Sequence, residues 1–249
     1  MLAQQTTDLL HRTKLPAMAE ALDEQRRTPD VVSMDFEDRL ALLLEREYLA
    51  RDNRRLTRLL QLARLRHTAS IEDVNFRVKR GRDKSQLLRL ATGDWIQQHG
   101  VLLVTGPTGR GKSWLACALG QSACRHGYVV RYMRLPRLLP ELAIARSDGT
   151  YSRVLTQLGK ADLLILDDWG LAPIGDRERR DLLELIEDRT GRRATLLTSQ
   201  VPVEHWHEGV GDATFGDAIM DRLVHHAHRI TLTGGSLRKL GAGAATDPA

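Results

Sequence analysis

The feature that most constrains this chain is a glycine-rich segment that directly follows an apolar run. Residues 101–105 read VLLVT, which is typical of a buried strand, and residues 106–113 read GPTGRGKS. The second segment matches G-x-x-x-x-G-K-[ST] at every fixed position, in the required context of a strand before it and a helix after it. Its glycines let the backbone turn tightly and approach a ligand closely. The sequence therefore predicts a phosphate-binding loop.

Phosphate binding assigns a role to each part of this loop. Successive backbone N–H groups and the N-terminus of the helix beginning at Lys112 form an anion site. We expect the Lys112 ammonium to reach the β- and γ-phosphates of a nucleoside triphosphate and the Ser113 hydroxyl to ligate Mg²⁺. The predicted nucleotide-binding residues are Gly106, Pro107, Thr108, Gly109, Arg110, Gly111, Lys112, Ser113 and Trp114.

A second apolar run ends in two acidic residues. Residues 162–169 read DLLILDDW, which predicts a buried strand ending at Asp167 and Asp168. Asp167 is placed to hold the Mg²⁺ shell, and Asp168 is placed to orient or deprotonate the attacking water.

A third run, residues 194–199 (ATLLTS), ends in hydroxyl side chains. The carboxyl ends of strands in an open α/β sheet line the ligand crevice. Thr198 or Ser199 is therefore a candidate for contact with the γ-phosphate or the attacking water. The alternative is that these hydroxyls only cap the next turn.

The order of elements predicts an α/β fold. From residue 101 onward, strand-like runs alternate with helical ones, which favours a parallel sheet with helices on both faces. We expect an all-helical N-terminal domain over residues 1–68, with a long helix over about 35–66. Residues 69–240 form the predicted nucleotide-binding domain and 241–249 a disordered tail. Residues 134–158, which contain Pro136 and Pro140, are expected to be less regular.

Charge is unevenly distributed along the chain. Residues 1–50 contain 6 Lys/Arg against 10 Asp/Glu, whereas residues 51–89 contain 12 against 4. A basic block of this density favours a polyanion as partner, the alternative being a solvated helix face.

Two groups of arginines are candidate contacts to duplex DNA. The first group shares a stripe at i, i+3, i+4 and i+7 of the long helix, where the side chains repel one another unless an anion is present. The second group lies between the two nucleotide motifs. The members of the first are Arg51, Arg54, Arg55 and Arg58; those of the second are Arg134, Arg137, Arg146 and Arg153.

Several classes of protein are disfavoured. There is no apolar run of eighteen residues and no secretory signal, so we expect no membrane partner and a cytoplasmic location. Cys117 and Cys124 are expected to pack in the interior. The histidines at 225, 226 and 228 lack a carboxylate or cysteine set that would complete a tetrahedral metal site.

The order of motifs resembles that of a known family. GPTGRGKS, LLILDDWG, LLTSQ, the triplet at 220–222 (MDR) and residues 234–238 (GGSLR) follow one another as in the AAA+ ATPases of the initiator and helicase-loader group. The chain is most similar to the IstB family of insertion-sequence ATP-binding proteins, over nearly its whole length.

The resemblance implies further roles. Arg222 matches the arginine finger, which acts on ATP in a neighbouring subunit and so implies a homo-oligomer. Ser199 matches the sensor position, and Asp168 stands where most of the superfamily has Glu. Arg238 is a candidate second sensor, although the chain ends too soon after it for a full C-terminal lid.

The implied function is ATP hydrolysis by a protein that assembles on duplex DNA and assists a cognate transposase in target selection and insertion. Two alternatives stay open: a DnaC-like loader with a replicative helicase as partner, and an ATP-switched DNA clamp that does not hydrolyse ATP. A small-molecule kinase is disfavoured, because the chain shows no acceptor-binding motif.

Overall fold

The computed structural model describes residues 2–76 and 83–234. By their internal contacts the residues form two compact units, Met1–Arg58 and Leu59–Ala249. Within the described residues no helix is long and apolar enough to cross a membrane.

The first unit is built from helices: α1 (Leu2–Arg12), α2 (Pro16–Arg27), α3 (Pro29–Val32) and α4 (Phe36–Ala63), the last of which continues into the second unit. Proline occupies the first position of α2 and α3, where its fixed φ suits a helix and its missing N–H costs nothing. The short helix α3 follows α2 after a single residue, Thr28.

A buried carboxylate organises the contact between α2 and α4. Glu47 is 4% exposed, and its Oε2 accepts hydrogen bonds from the backbone N–H groups of Ala17 (2.9 Å) and Met18 (3.1 Å) at the start of α2. Its Oε1 accepts hydrogen bonds from Arg51 Nε (2.9 Å) and Arg54 Nη2 (3.1 Å). Glu47 therefore neutralises part of the positive charge of Arg51 and Arg54 within the chain.

The second unit contains a sheet flanked by helices. Its strands are β1 (Val101–Thr105), β2 (Val130–Arg134), β3 (Leu163–Trp169), β4 (Ala194–Ser199) and β5 (His228–Thr231). Its helices are α5 (Lys84–Ala91), α6 (Asp94–Gln97), α7 (Lys112–Arg125), α8 (Leu135–Ser147), α9 (Tyr151–Lys160), α10 (Asp176–Arg189), α11 (Trp206–Val210) and α12 (Ala213–Val224).

All strand pairs are parallel, as predicted, in the order β2-β3-β4-β1-β5. Thr105 at the end of β1 is level with Ser199 of β4 and Thr231 of β5. The carboxyl ends of these strands therefore meet at one edge of the sheet. On one face of the sheet Asp167 and Ile165 are turned toward α7, and on the other face Leu103 and Leu164 pack into the core cluster that contains α8, α10 and α12.

The expectation of irregular structure over residues 134–158 is wrong, because α8 and α9 occupy most of this segment. Pro136 lies in the first turn of α8 and Pro140 lies within the helix. Leu135, Leu138 and Leu142 form a fully buried stripe at helical spacing. Burial of this stripe outweighs the cost of one missing hydrogen bond at Pro140.

We predict that Glu47→Gln lowers the free energy of unfolding at pH 7 by about 2 kcal/mol, because charge-assisted hydrogen bonds are lost. Burial raises the pKa of Glu47, but hydrogen bonds from Arg51 and from the N–H groups of Met18 and Ala17 outweigh it, so the pKa is below the ordinary 4.5. A carboxyl with a lowered pKa stabilises the fold fully above pH 4.5 and loses that contribution as the pH falls through the folded value.

Unfolding of the full chain, followed by circular dichroism between pH 3 and 7, tests this prediction. The difference between wild type and Glu47→Gln should shrink as the solution is acidified. Asp52→Asn, on the exposed side of the same helix, is the matched control. An unchanged difference at all pH values would contradict the assignment.

Candidate nucleotide site

The glycine-rich loop connects β1 to α7. Gly106, Gly109 and Gly111 have φ values of 140°, 79° and 87°, which L side chains rarely adopt. A Cβ at Gly106 would also overlap the carbonyl oxygen of Leu232. The local backbone therefore requires glycine at these positions, and α7 begins directly at Lys112 with its free N–H groups at the loop.

Lys112 is buried at the centre of this loop. Its Nζ donates hydrogen bonds to the carbonyl oxygens of Gly106 (2.7 Å) and Pro107 (3.0 Å). The ammonium is thus surrounded by the backbone of the predicted phosphate loop. A buried cation beside the N-terminus of a 14-residue helix provides strong attraction for phosphate.

Asp167 brings the two predicted motifs into contact. Its carboxylate is fully buried, and Oδ1 accepts a hydrogen bond of 2.9 Å from Ser113 Oγ at the start of α7. The hydroxyl of Thr198 in β4 also donates to Oδ1, and that of Tyr132 in β2 donates to Oδ2. Arg66 Nη1 lies 3.9 Å from Oδ2. Four separate segments therefore fix the orientation of this carboxylate.

The residues present fit a magnesium ion. A hydroxyl oxygen and a carboxylate, 2.9 Å apart beside a phosphate-binding loop, are the hard oxygen ligands that Mg²⁺ takes together with substrate phosphates.

Tyr132 is a site residue that sequence reasoning missed. Burial raises the pKa of its hydroxyl, and the hydrogen bond to Asp167 raises it further, so it is a neutral donor at physiological pH. No motif marks it; only the pairing of β2 with β3 places it beside the carboxylate.

Asp168 has an unusual backbone conformation at the end of β3. Its φ of 64° lies in the left-handed region, which costs energy for a residue other than glycine. Its backbone N–H donates to Thr198 Oγ1 (3.3 Å), and its Oδ2 accepts a hydrogen bond of 2.8 Å from Arg134 Nε. This hydrogen bond raises the pKa of Arg134. Arg134, predicted as a DNA contact, is therefore engaged with the predicted water-orienting acid.

The hydroxyls at the end of β4 have different partners. Ser199 is fully buried, and its Oγ donates to the carbonyl oxygen of Trp169 (2.8 Å) and accepts from the N–H of Val201 (3.0 Å). This is the turn-capping arrangement that the sequence left open as the alternative. Gln200, one residue later, forms a side-chain hydrogen bond with Thr108 of the loop. Gln200 is therefore the polar side chain from this strand end that meets the loop.

Gln200 also lines a cavity of about 310 Å³ beside the loop, together with Thr105, Gly106, Pro107 and Thr231. Sequence reasoning passed over it, although it follows directly on the polar strand end.

Arg222 lies away from the phosphate loop and from Asp167. Its guanidinium donates to Glu187 Oε1 (2.6 Å) and to the carbonyl oxygen of Ala218 (2.7 Å). It lines a cavity of about 440 Å³ with Val101 and Thr195, which stand at the amino ends of β1 and β4. Arg222 therefore lies at the edge of the sheet opposite to the phosphate loop of its own subunit.

The second arginine group divides in two. Arg146 pairs with the buried Asp181, and its guanidinium lies 3.6 Å from the centroid of the Tyr151 ring. Like Arg134, it is committed to a partner within the chain. Arg137 and Arg153 are exposed on α8 and α9 and have no ion pair within residues 2–76 and 83–234.

The two cysteines lie in the interior, as predicted. Cys117 and Cys124 are buried free thiols, and burial raises the pKa of Cys124 to about 11. In the described part of the chain no group of His, Cys, Asp or Glu is arranged to hold a metal ion by itself. Residues 235–238, including the candidate second sensor Arg238, and the tail from 241 fall outside the described residues.

Comparison with known proteins decides the family. A model of the IstB-like ATP binding protein family matches residues 8–243. The chain belongs to this family. A protein of Sinorhizobium fredii named as an insertion sequence ATP-binding protein is 51% identical over 239 residues, covering 96% of this chain and 98% of the relative. A similarly named protein of Pseudomonas fluorescens is 52% identical over 203 residues, covering 81% of this chain and 88% of the relative.

Solved structures agree on the fold. DnaI aligns with a TM-score of 0.58 at 20% identity, covering 71% of this chain and 94% of that chain. The DnaC helicase loader aligns with a TM-score of 0.53 at 16% identity, covering 60% and 88%. DnaA bound to AMPPCP and single-stranded DNA gives 0.58 at 18% identity, covering 73% and 55%. The IstB-like chain therefore has the AAA+ P-loop fold, as its motif order implied.

We predict that Tyr132→Phe raises the Mg²⁺ concentration needed for half-maximal nucleotide binding by about tenfold. Residues that orient a metal ligand typically contribute this much to metal affinity. Titration of Mg²⁺ against a fluorescent ATP analogue measures the effect without any turnover. Tyr128→Phe, two residues before β2, is the control. An unchanged Mg²⁺ titration in Tyr132→Phe would show that Ser113 and Thr198 suffice to orient Asp167.

Proposed function

We propose that this IstB-like protein is a Mg²⁺-dependent ATPase that assembles as a homo-oligomer on duplex DNA. In this proposal it assists a cognate transposase in target selection and insertion. The observation that carries the proposal is the contact between Ser113 and Asp167, which unites a phosphate loop with an acid-tipped strand. The names of the relatives, all insertion sequence ATP-binding proteins, support transposition as the setting.

Each side chain then has a defined task in hydrolysis. The loop N–H groups and Lys112 bind the phosphates, and Ser113 with Asp167 would hold Mg²⁺, which neutralises charge on the β- and γ-oxygens. Asp168 orients the attacking water. For that it must present an oxygen to the water while Arg134 holds Oδ2, so Arg134 sets the direction of this carboxylate.

Arg222 is proposed to act in the site of a neighbouring subunit. Its location at the far edge of the sheet supports this role, because it cannot serve the loop from which the sheet separates it. An arginine supplied to the transferring phosphoryl group stabilises negative charge in the transition state.

Mixing two inactive variants tests the shared site. Asp168→Asn removes the water-orienting acid and keeps Arg222, whereas Arg222→Ala keeps the acid and removes the arginine. We predict that each variant alone loses at least about a hundredfold in ATP turnover. In a mixture some interfaces join an intact Asp168 to an intact Arg222, so turnover should rise well above that of either variant. A mixture no more active than its parts would contradict the arginine's action in trans.

Duplex DNA is the proposed polyanion. Arg55 and Arg58 are exposed on α4, and Arg51 and Arg54 remain more than half exposed despite their hydrogen bonds to Glu47. Arg137 and Arg153 are the exposed members of the second group. Arginine side chains in such positions bind phosphates without reading sequence.

We predict that Arg54→Ala combined with Arg58→Ala weakens duplex binding and lowers the slope of log affinity against log salt by about one to two. The measurement is fluorescence anisotropy with labelled duplex over a range of salt concentrations. Arg26→Ala, which removes an arginine paired with Asp23 in α2, is the control. An unchanged affinity and slope would remove this stripe from the DNA contacts.

The ion pair between Arg134 and Asp168 also favours a second candidate, the ATP-switched DNA clamp that does not hydrolyse ATP. If the pair persists when nucleotide is bound, Asp168 has one oxygen fewer for water. Phosphate release by the wild type on duplex DNA decides between the two. Turnover that Asp168→Asn abolishes supports the ATPase, whereas its absence in the wild type supports the clamp.

A further inference from the structure

An exposed stripe on α4 combines apolar and charged side chains. Leu42 and Leu49 are 44% and 50% exposed, which is unusual for large apolar residues on a helix that already packs its other face. Glu45 and Arg46 lie between them and are also exposed. The four residues occupy positions i, i+3, i+4 and i+7, so they share one face over about 10 Å of helix. We call Leu42, Glu45, Arg46 and Leu49 the α4 stripe.

The α4 stripe forms one wall of a groove. The opposite wall comes from α2 and α3, and the groove encloses about 430 Å³ lined by Ala21, Glu24, Gln25, Thr28 and Val31 in addition to the stripe. Its apolar residues can accept the side chains of a second helix laid along α4. All of these residues belong to the first compact unit.

The order of residues makes the stripe complementary to itself. When two copies of α4 meet antiparallel about a two-fold axis between positions 45 and 46, Leu42 faces Leu49 of the other copy. Glu45 then faces Arg46 of the other copy, and Arg46 faces Glu45. Such an isologous contact forms each of these pairs twice and gives every residue of the stripe a partner. We propose that the α4 stripe pairs two copies of this chain.

The surrounding charges favour a second copy of this chain as the partner of the α4 stripe. Glu45 has no ion-pair partner among the described residues, and the pair between Arg46 and Glu24 is loose at 3.8 Å with both side chains more than 60% exposed. Nucleic acid is disfavoured, because residues 1–50 contain 10 Asp/Glu against 6 Lys/Arg. A second copy provides an arrangement in which Glu45 and both leucines gain partners of matching character.

The pairing specifies one surface of the proposed homo-oligomer and rests on that part of the proposed function. The pairing uses no residue of the nucleotide site, since all its residues belong to the first compact unit and the phosphate loop belongs to the second. Its failure and that of the ATPase proposal are therefore distinguishable. A chain that binds ATP but does not pair would overturn only the pairing.

Charge exchange tests the proposal with the full-length protein. In Glu45→Arg two arginine pairs face each other across the axis, and in Arg46→Glu two glutamate pairs do so. Sedimentation equilibrium without nucleotide should show that each variant raises the dimer dissociation constant about tenfold or more, given the strength of exposed ion pairs. An equimolar mixture should restore pairing, because arginines at 45 and 46 then face glutamates. The exchange of both residues within one chain should restore it as well.

Matched leucine variants give an independent reading. Leu42→Glu should abolish pairing, whereas Leu44→Glu should leave it intact, because Leu44 is also exposed but lies on a different side of α4. An unchanged far-UV circular dichroism spectrum and unfolding midpoint show that the helices of the first unit are folded in each variant. A monomeric wild type, single charge variants that pair like the wild type, or variants that neither mixing nor exchange restores would overturn the proposal. Pairing that depends on Leu44 instead would also overturn it.

Discussion

The hydrogen bonds to the Asp167 carboxylate are the interaction on which the nucleotide site depends. A buried carboxylate without donors is costly, so three hydroxyls from α7, β4 and β2 converge on it. The same contacts tie the phosphate loop to the strand that carries the acids. A change at Tyr132 or Thr198 would therefore disturb the carboxylate and the contact between the two motifs together.

The parallel sheet also places the phosphate loop and Arg222 at opposite edges. Its carboxyl edge gathers the loop, Asp167, Asp168 and Gln200, whereas Arg222 stands among the amino ends of β1 and β4. One subunit therefore presents a phosphate site on one side and an arginine on the other. This polarity favours a chain that works by assembling with copies of itself.

Tertiary structure decides which arginines have carboxylate partners within the chain. Arg134 and Arg146 look from the sequence like free phosphate contacts, yet each is engaged by a carboxylate that lies more than thirty positions away in the chain. Arg51 and Arg54 share the carboxylate of Glu47, which is buried between α2 and α4. Sequence spacing predicts which arginines share a helix face, but it does not show which acids the fold delivers to them.

The sequence by itself determined the phosphate loop, the acid-tipped strand, the alternation of strands and helices and the resemblance to the IstB family. These features follow from local backbone requirements and from spacing within single elements. Only the tertiary structure decided the strand order, the regular helices at residues 134–158, the buried role of Ser199 and the contacts of Tyr132, Gln200 and Arg134. Such contacts join residues from different strands and loops, and packing of the whole sheet fixes them because no local pattern encodes which strands become neighbours.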